Sequence, residues 1–349
     1  MSLPRFAPYR QTPADAGVCV FSGHPARRGC YTIEKGGPSM PIIDLHCDTI
    51  ARLLSCRRAG GTDTLRAGPG GHISLEKLRG YLLQAFALFV DLEQTEDPLR
   101  EVLALADLFW TEAEANRDLL LPVRDFSDLE RARAENKLAA LLTVEEGGVF
   151  GGDPALLRTL HRLGVRLVTL TWNYPNQLGF PNGQAGGLTD TGFAFLEEME
   201  RLRILADVSH LGDEGFWDVC RAAKRPFLAS HSCCRALRDH PRNLTDEMIR
   251  AVADRGGIVG LNFYASFLGE DPVSRTADMV RHLRHLLDVG GPAVAALGSD
   301  FDGIDCDLEW GDAGDMGKLV EALDAAGFTE REIEAVTWRN AWDFLKETL

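Results

Sequence analysis

Short apolar runs alternate along this chain with longer segments in which apolar residues recur every three to four positions, the periods of buried strands and amphipathic helices. The short runs predict strands over 41–45, 85–90, 138–144, 166–170, 204–208, 226–229, 257–262 and 294–298. The longer segments predict helices over 49–58, 98–117, 153–163, 190–202, 213–223, 245–254 and 276–289. Helix starts carry capping residues: Thr245 precedes Asp246-Glu247-Met248, and Thr189-Asp190-Thr191-Gly192 offers several side-chain oxygens.

Eight strands alternating with helices predict an α/β fold, a (β/α)8 TIM-type barrel. A doubly wound open sheet would also alternate, but it would invite a glycine-rich phosphate turn after its first strand, and no GxGxxG follows Ile43. Residues 1–39, rich in Pro, Gly and Arg and without sustained periodicity, read as a poorly ordered N-terminal tail. Residues 40–349 read as a single catalytic domain. The stretch 173–187, with Pro175, Gly179, Pro181, Gly183, Gly186 and Gly187, reads as an active-site loop.

Composition narrows the function. The chain has 349 residues and a formal net charge of -15, which argues against a nucleic-acid partner. No apolar stretch approaches the roughly 18 residues of a membrane span, Val18 to Phe21 is too short for a signal-peptide core, and the C-terminus has no anchor-type tail. The eight cysteines lack paired CxxC spacing, so the expected setting is reduced and cytoplasmic.

The chemistry sits at the C-terminal ends of the strands, where barrel enzymes build their sites. His46 and Asp48 follow the first strand, Glu145 and Glu146 the third, His210 the fifth, His231 the sixth, and Asp300 with Asp302 the eighth. Singly, each has a bland reading: a hydrogen-bonded structural histidine, a solvated loop carboxylate, a turn cap. Together on one rim they call for a cation, because clustered carboxylates in a partly dry mouth repel one another. Imidazole with carboxylate and no thiolate set favours Zn2+ or a similar borderline ion, and the ligand count favours two ions sharing a carboxylate. His46 and Asp48, at i and i+2 of an extended segment, point the same way, and Cys47 points elsewhere.

Five ordered motifs, Asp44-Leu45-His46-Cys47-Asp48, Val144-Glu145-Glu146-Gly147-Gly148, Asp207-Val208-Ser209-His210, Ala229-Ser230-His231-Ser232 and Gly298-Ser299-Asp300-Phe301-Asp302-Gly303, resemble those of the membrane (renal) dipeptidase family. The resemblance runs from about Met40 to the C-terminus. It implies a zinc-dependent dipeptidase acting through a hydroxide that bridges two ions. His46 and Asp48 would hold one ion, His210 and His231 the other, and Glu145 would bridge, with Glu146 as the fallback. Asp300 would handle the water's proton, Arg242 would clamp the substrate carboxylate, Tyr264 would line the pocket, and a homodimer is the family's tendency. After Thr169-Leu170-Thr171, mammalian members carry an oxyanion-stabilising His where this chain has Trp172 and then Asn173. An indole or amide N–H there could donate in its place, so altered specificity is expected. The rival functions are another amidohydrolase-type reaction, a deaminase or lactonase, which usually opens on HxH, and a catalytically inactive scaffold.

Overall fold

Residue by residue, the computed structural model describes 40–349 except Pro69, so the expected N-terminal tail lies outside the described residues. The strands, in chain order, are β1 (Ile42–Asp44), β2 (Tyr81–Phe89), β3 (Leu120–Val123), β4 (Leu138–Glu145), β5 (Leu167–Thr169), β6 (Leu205–Asp207), β7 (Ala229–Ser232), β8 (Val259–Leu261), β9 (Val273–Ser274), β10 (Ala295–Leu297) and β11 (Asp307–Leu308). Eight of them form a parallel array in the order β6-β5-β4-β2-β1-β10-β8-β7. The ends meet where Leu228, just before β7, bridges Asp207 of β6: Val208 N donates to Leu228 O at 2.9 Å, and Leu228 N to Ala206 O at 3.1 Å. The chain therefore folds as the expected α/β barrel, closed at this seam by a single bridge.

The barrel strands are buried because both their faces are covered, one by barrel interior and one by helices. All eight residues of β4 are buried, as are the three of β1. N-terminal caps open the helices. Asp97 accepts from Arg100 N at 3.1 Å ahead of Pro98, Asp153 from Ala155 N at 2.7 Å ahead of Pro154, and Thr245 from Met248 N at 3.3 Å.

Two differences from the expected elements have clear causes. β3 and the helix Phe126–Ala134 stand where no element was expected. The strand Leu-Leu-Pro-Val is only four residues long, contains a proline, and pairs with just the first half of β4, leaving the second half to β5. It lies off the barrel path. β7 runs three residues beyond the expected 226–229, through Ser230, His231 and Ser232. Its side chains are buried by hydrogen bonding rather than by apolar character, so hydrophobic patterning stops at Ala229.

Candidate metal centre

Every expected metal-competent residue lies at the carboxyl ends of the barrel strands, and backbone bonds lace the ends together. Asp300 N donates to His46 O at 3.2 Å and Asp48 N to Phe301 O at 2.9 Å, so the loops after β1 and β10 are fixed side by side. Two buried carboxylates complete the lacing. Asp44 accepts from Ser299 N at 2.8 Å and Ser299 Oγ at 2.6 Å, tying β1 to the loop after β10. Asp207 accepts from Thr169 Oγ1 at 2.7 Å, Ser230 N at 2.8 Å and Ser230 Oγ at 2.6 Å, and so braces the seam. Sequence reasoning passed over these supports; the signal available was the acidic residue two positions before His46 and three before His210. Three residues of the rim, His210, Asp300 and Asp302, have φ between 64° and 66°, a region usually left to glycine.

The cluster is tight. Glu145 Oε2 lies 3.1 Å from His46 Nε2, while Glu145 Oε1 lies 3.1 Å from His210 Nε2 and 3.4 Å from His231 Nε2. Asp48 Oδ2 and Asp300 Oδ1 stand 3.6 and 3.8 Å from His46 Nε2. His46 and His231 stack with ring centroids 3.9 Å apart. Gly303 makes room for the acids, since a Cβ there would lie 2.0 Å from Asp48 Oδ2 and 2.7 Å from Asp300 Oδ1. Cys47, between His46 and Asp48, is buried beside Thr49 Oγ1, and burial pushes its thiol up.

Outer contacts fix the imidazoles. Ser230 Oγ donates its one proton to Asp207, so it accepts from His231 Nδ1 at 2.7 Å and leaves a lone pair on His231 Nε2. His210 Nδ1 meets Asn173 Oδ1 at 3.0 Å. Burial holds the pKa of His210 down at about 4 and that of His231 well below its ordinary value. Burial opposes charge on His46 too, but Glu145 and Asp48 together outweigh it and raise that ring's pKa. Burial pushes Asp300 up to about 7, with His46 opposing and the charges of Asp48 and Glu145 adding.

The donor set fits a divalent cation. His46 Nε2, Asp48 Oδ1 and Glu145 Oε1 are buried without a hydrogen-bond partner. The close nitrogen–oxygen pairs lack hydrogen-bond alignment, and His210 Nε2 and His231 Nε2 face each other at 3.0 Å. Groups turned toward a shared third atom show this arrangement, and left empty of charge it would be strongly unfavourable. Two sets of ligand atoms lie within 4.8 Å of one another: His46, Glu145 and His231, and His46, Asp48 and Asp300.

Glu146, the fallback to Glu145, faces the other way. It accepts from Gly148 N at 2.6 Å, from Trp172 N at 2.8 Å and from the Asn176 amide. Asp302 is likewise turned from the cluster, accepting from Thr49 Oγ1 at 2.7 Å and His72 N at 2.6 Å.

The family model for membrane dipeptidase, peptidase family M19, matches residues 37–348. The chain belongs to peptidase family M19. It is a metallo-dipeptidase, a hydrolase whose substrates are small peptides. A solved structure described as dipeptidase AC, a metallopeptidase of family M19, superposes with a TM-score of 0.84 at 28% identity, covering 88% of this chain and 98% of that one. A metallopeptidase from Rhodobacter sphaeroides, liganded with a phosphinate mimic of the dipeptide L-Ala-D-Ala, also reaches 0.84 at 28% identity, over 89% of this chain and 99% of that one. Among curated sequences, an uncharacterized protein in the pqqA 5′ region of Klebsiella pneumoniae is 36% identical over 233 residues, 63% of this chain and 86% of its own length.

Around the histidine–carboxylate cluster of this M19 peptidase stand the residues expected to meet substrate. Arg242 is buried, donates from Nη2 to His231 O at 3.0 Å and from Nη1 to Ser232 Oγ at 3.3 Å, and leaves a buried Nε unpaired. Its guanidinium lies 5.4 Å over the Phe267 ring. Tyr264 is half-buried with its ring 4.9 Å from Phe267. Trp172 packs edge-on against Phe89 at 4.8 Å and Tyr174 at 5.6 Å, forming an aromatic wall beside His210. Among the described residues, no helix is long and apolar enough to cross a membrane.

Proposed function

We propose that this M19 peptidase hydrolyses the amide bond of dipeptides with a free C-terminal carboxylate, using two zinc ions. His46 and Asp48 would hold one, His210 and His231 the other, and Glu145 would serve both. The observation that carries this reading is the division of Glu145, one oxygen toward His46 and the other toward His210 and His231. Bound there, the ions would acidify a water and polarise the scissile carbonyl.

The chain's own residues supply the rest. Asp300 Oδ2 is held by Asn262 Nδ2 at 2.9 Å, which leaves Oδ1 on the cluster side to take the water's proton and return it to the leaving amine. Arg242 would receive the terminal carboxylate, where a guanidinium favours a planar anion. Tyr264, Trp172 and Asn173 line the pocket, with the 173–187 loop closing the amino end. The Rhodobacter sphaeroides relative's phosphinate ligand makes L-Ala-D-Ala the first substrate to assay. Residues 40–349 act as the catalytic domain. The reading includes a homodimer, on the family resemblance, and a cytoplasmic setting, on the cysteines: Cys47, Cys56, Cys220, Cys233, Cys234 and Cys306 are all free.

A panel of dipeptides, each beside its C-terminally amidated counterpart, tests the reading. Cleavage of the free acids with little or no cleavage of the amides supports it. Zinc binding without cleavage of any dipeptide would point to a scaffold instead, and turnover confined to lactones or amines to another amidohydrolase-type reaction.

A further inference from the structure

Asn173 is solvent-exposed, yet its Oδ1 lies 3.0 Å from Nδ1 of the buried His210. His210 needs its Nε2 lone pair on the Glu145 side to bind a cation, so Nδ1 carries the proton and donates to the Asn173 amide oxygen. What holds an exposed loop residue so firmly is visible on the far side of the same loop. The buried Glu146 carboxylate accepts from Trp172 N and from the Asn176 amide. Asn176 in turn donates to Leu170 O at 2.8 Å and accepts from Leu178 N at 2.7 Å and Gly179 N at 3.2 Å. Asn173 therefore sits between two fixed points, Trp172 and Asn176, both tied to one carboxylate.

We propose that Asn173 is a positioning residue for His210, and that the Glu146–Asn176 clamp is what presents it. The proposal rests on the two-ion reading of the site. It gives the second glutamate of the Glu145-Glu146 pair a task of its own: Glu145 faces the ions, while Glu146 shapes the loop that orients one of their ligands. It also takes Asn173 Oδ1 out of contention for substrate, since that oxygen is occupied by the ring.

The test is zinc binding to the full chain in competition with a chromophoric chelator, compared among the wild type, Asn173→Ala, Asn173→Asp and Glu146→Gln. Asn173→Ala should weaken one of two equivalents by about 10- to 100-fold and leave the other unchanged. Asn173→Asp keeps the acceptor and should restore the weakened equivalent. Glu146→Gln, whose amide has a single acceptor oxygen, should show an intermediate loss. Unaltered binding in Asn173→Ala would overturn the proposal. A wild type binding only one equivalent would overturn the two-ion reading instead, and the proposal would then be decided by whether that equivalent weakens in Asn173→Ala.

Discussion

Glu145 divides its carboxylate between two histidines, with Oε2 3.1 Å from His46 Nε2 and Oε1 3.1 Å from His210 Nε2. Oε1 also lies 3.4 Å from His231 Nε2, so the carboxylate spans the cluster. Glu145→Gln keeps the shape but removes the charge that would offset two cations under the proposed reading, so zinc content should fall below two equivalents and dipeptide turnover by about 100-fold. Metal analysis of the purified variant checks this; two retained equivalents would show that Glu145 does not bridge.

Asp300 differs from Glu145 in having one oxygen already satisfied by Asn262. Asp300→Asn should therefore leave zinc bound while lowering kcat by about 100- to 10,000-fold, the range ascribed to a general acid or base. Steady-state kinetics beside metal analysis separates the two roles, and undiminished kcat would remove Asp300 from the proton path.

Arg242 should act on substrate recognition more than on chemistry. Arg242→Ala removes a charge-assisted contact of about 1.5–3 kcal/mol, so kcat/KM for dipeptides should drop by roughly 10- to 150-fold. The preference for free acids over amidated dipeptides should vanish with it. A variant that keeps this preference would place the carboxylate clamp elsewhere.

Much of this site was legible in the sequence because its metal-competent residues fall at strand ends, where alternation of apolar runs and helices marks the barrel mouth. His46, Asp48, Glu145, His210, His231 and Asp300 could be gathered on that argument alone. What patterning could not reveal was polar structure inside the barrel wall. Ser230, His231 and Ser232 form a strand without apolar character, and Asp44 and Asp207 are buried carboxylates satisfied by serines from neighbouring strands. β3, with Pro122 in its four residues, lacked the length to announce itself. The opposite orientations of Glu145 and Glu146 were equally invisible, since adjacent residues of an extended chain differ in direction but nothing in their identity says which one faces inward.

Gly303 offers a test of packing at the acids. Because a Cβ there would collide with both Asp48 and Asp300, Gly303→Ala should displace those carboxylates and weaken zinc binding by about 10- to 100-fold. Circular dichroism should show the fold retained. Wild-type zinc affinity in this variant would mean that the acids have more room than their distances indicate.

His282 sets an acid limit on stability away from the site. It is buried between Cys234 N, which donates to Nδ1 at 3.0 Å, and Leu268 O, 3.0 Å from Nε2, and burial lowers its pKa to about 4. The folded state keeps the ring neutral while the unfolded chain protonates near pH 6.5, so the stabilisation is complete above that pH. It is lost progressively as pH falls toward 4, on the order of 3 kcal/mol in all. Denaturant unfolding of the wild type and His282→Gln between pH 7 and 4 checks this. The variant should be less stable at pH 7 and show a shallower decline, and parallel declines would remove His282 as the cause.

The central claim, a two-ion centre that hydrolyses dipeptides, is tested most directly by titrating the metal-free protein with zinc while following L-Ala-D-Ala hydrolysis. Saturation is expected at two equivalents, with full activity reached only as the second binds. Full activity at one equivalent, or hydrolysis that persists in excess chelator, would contradict it.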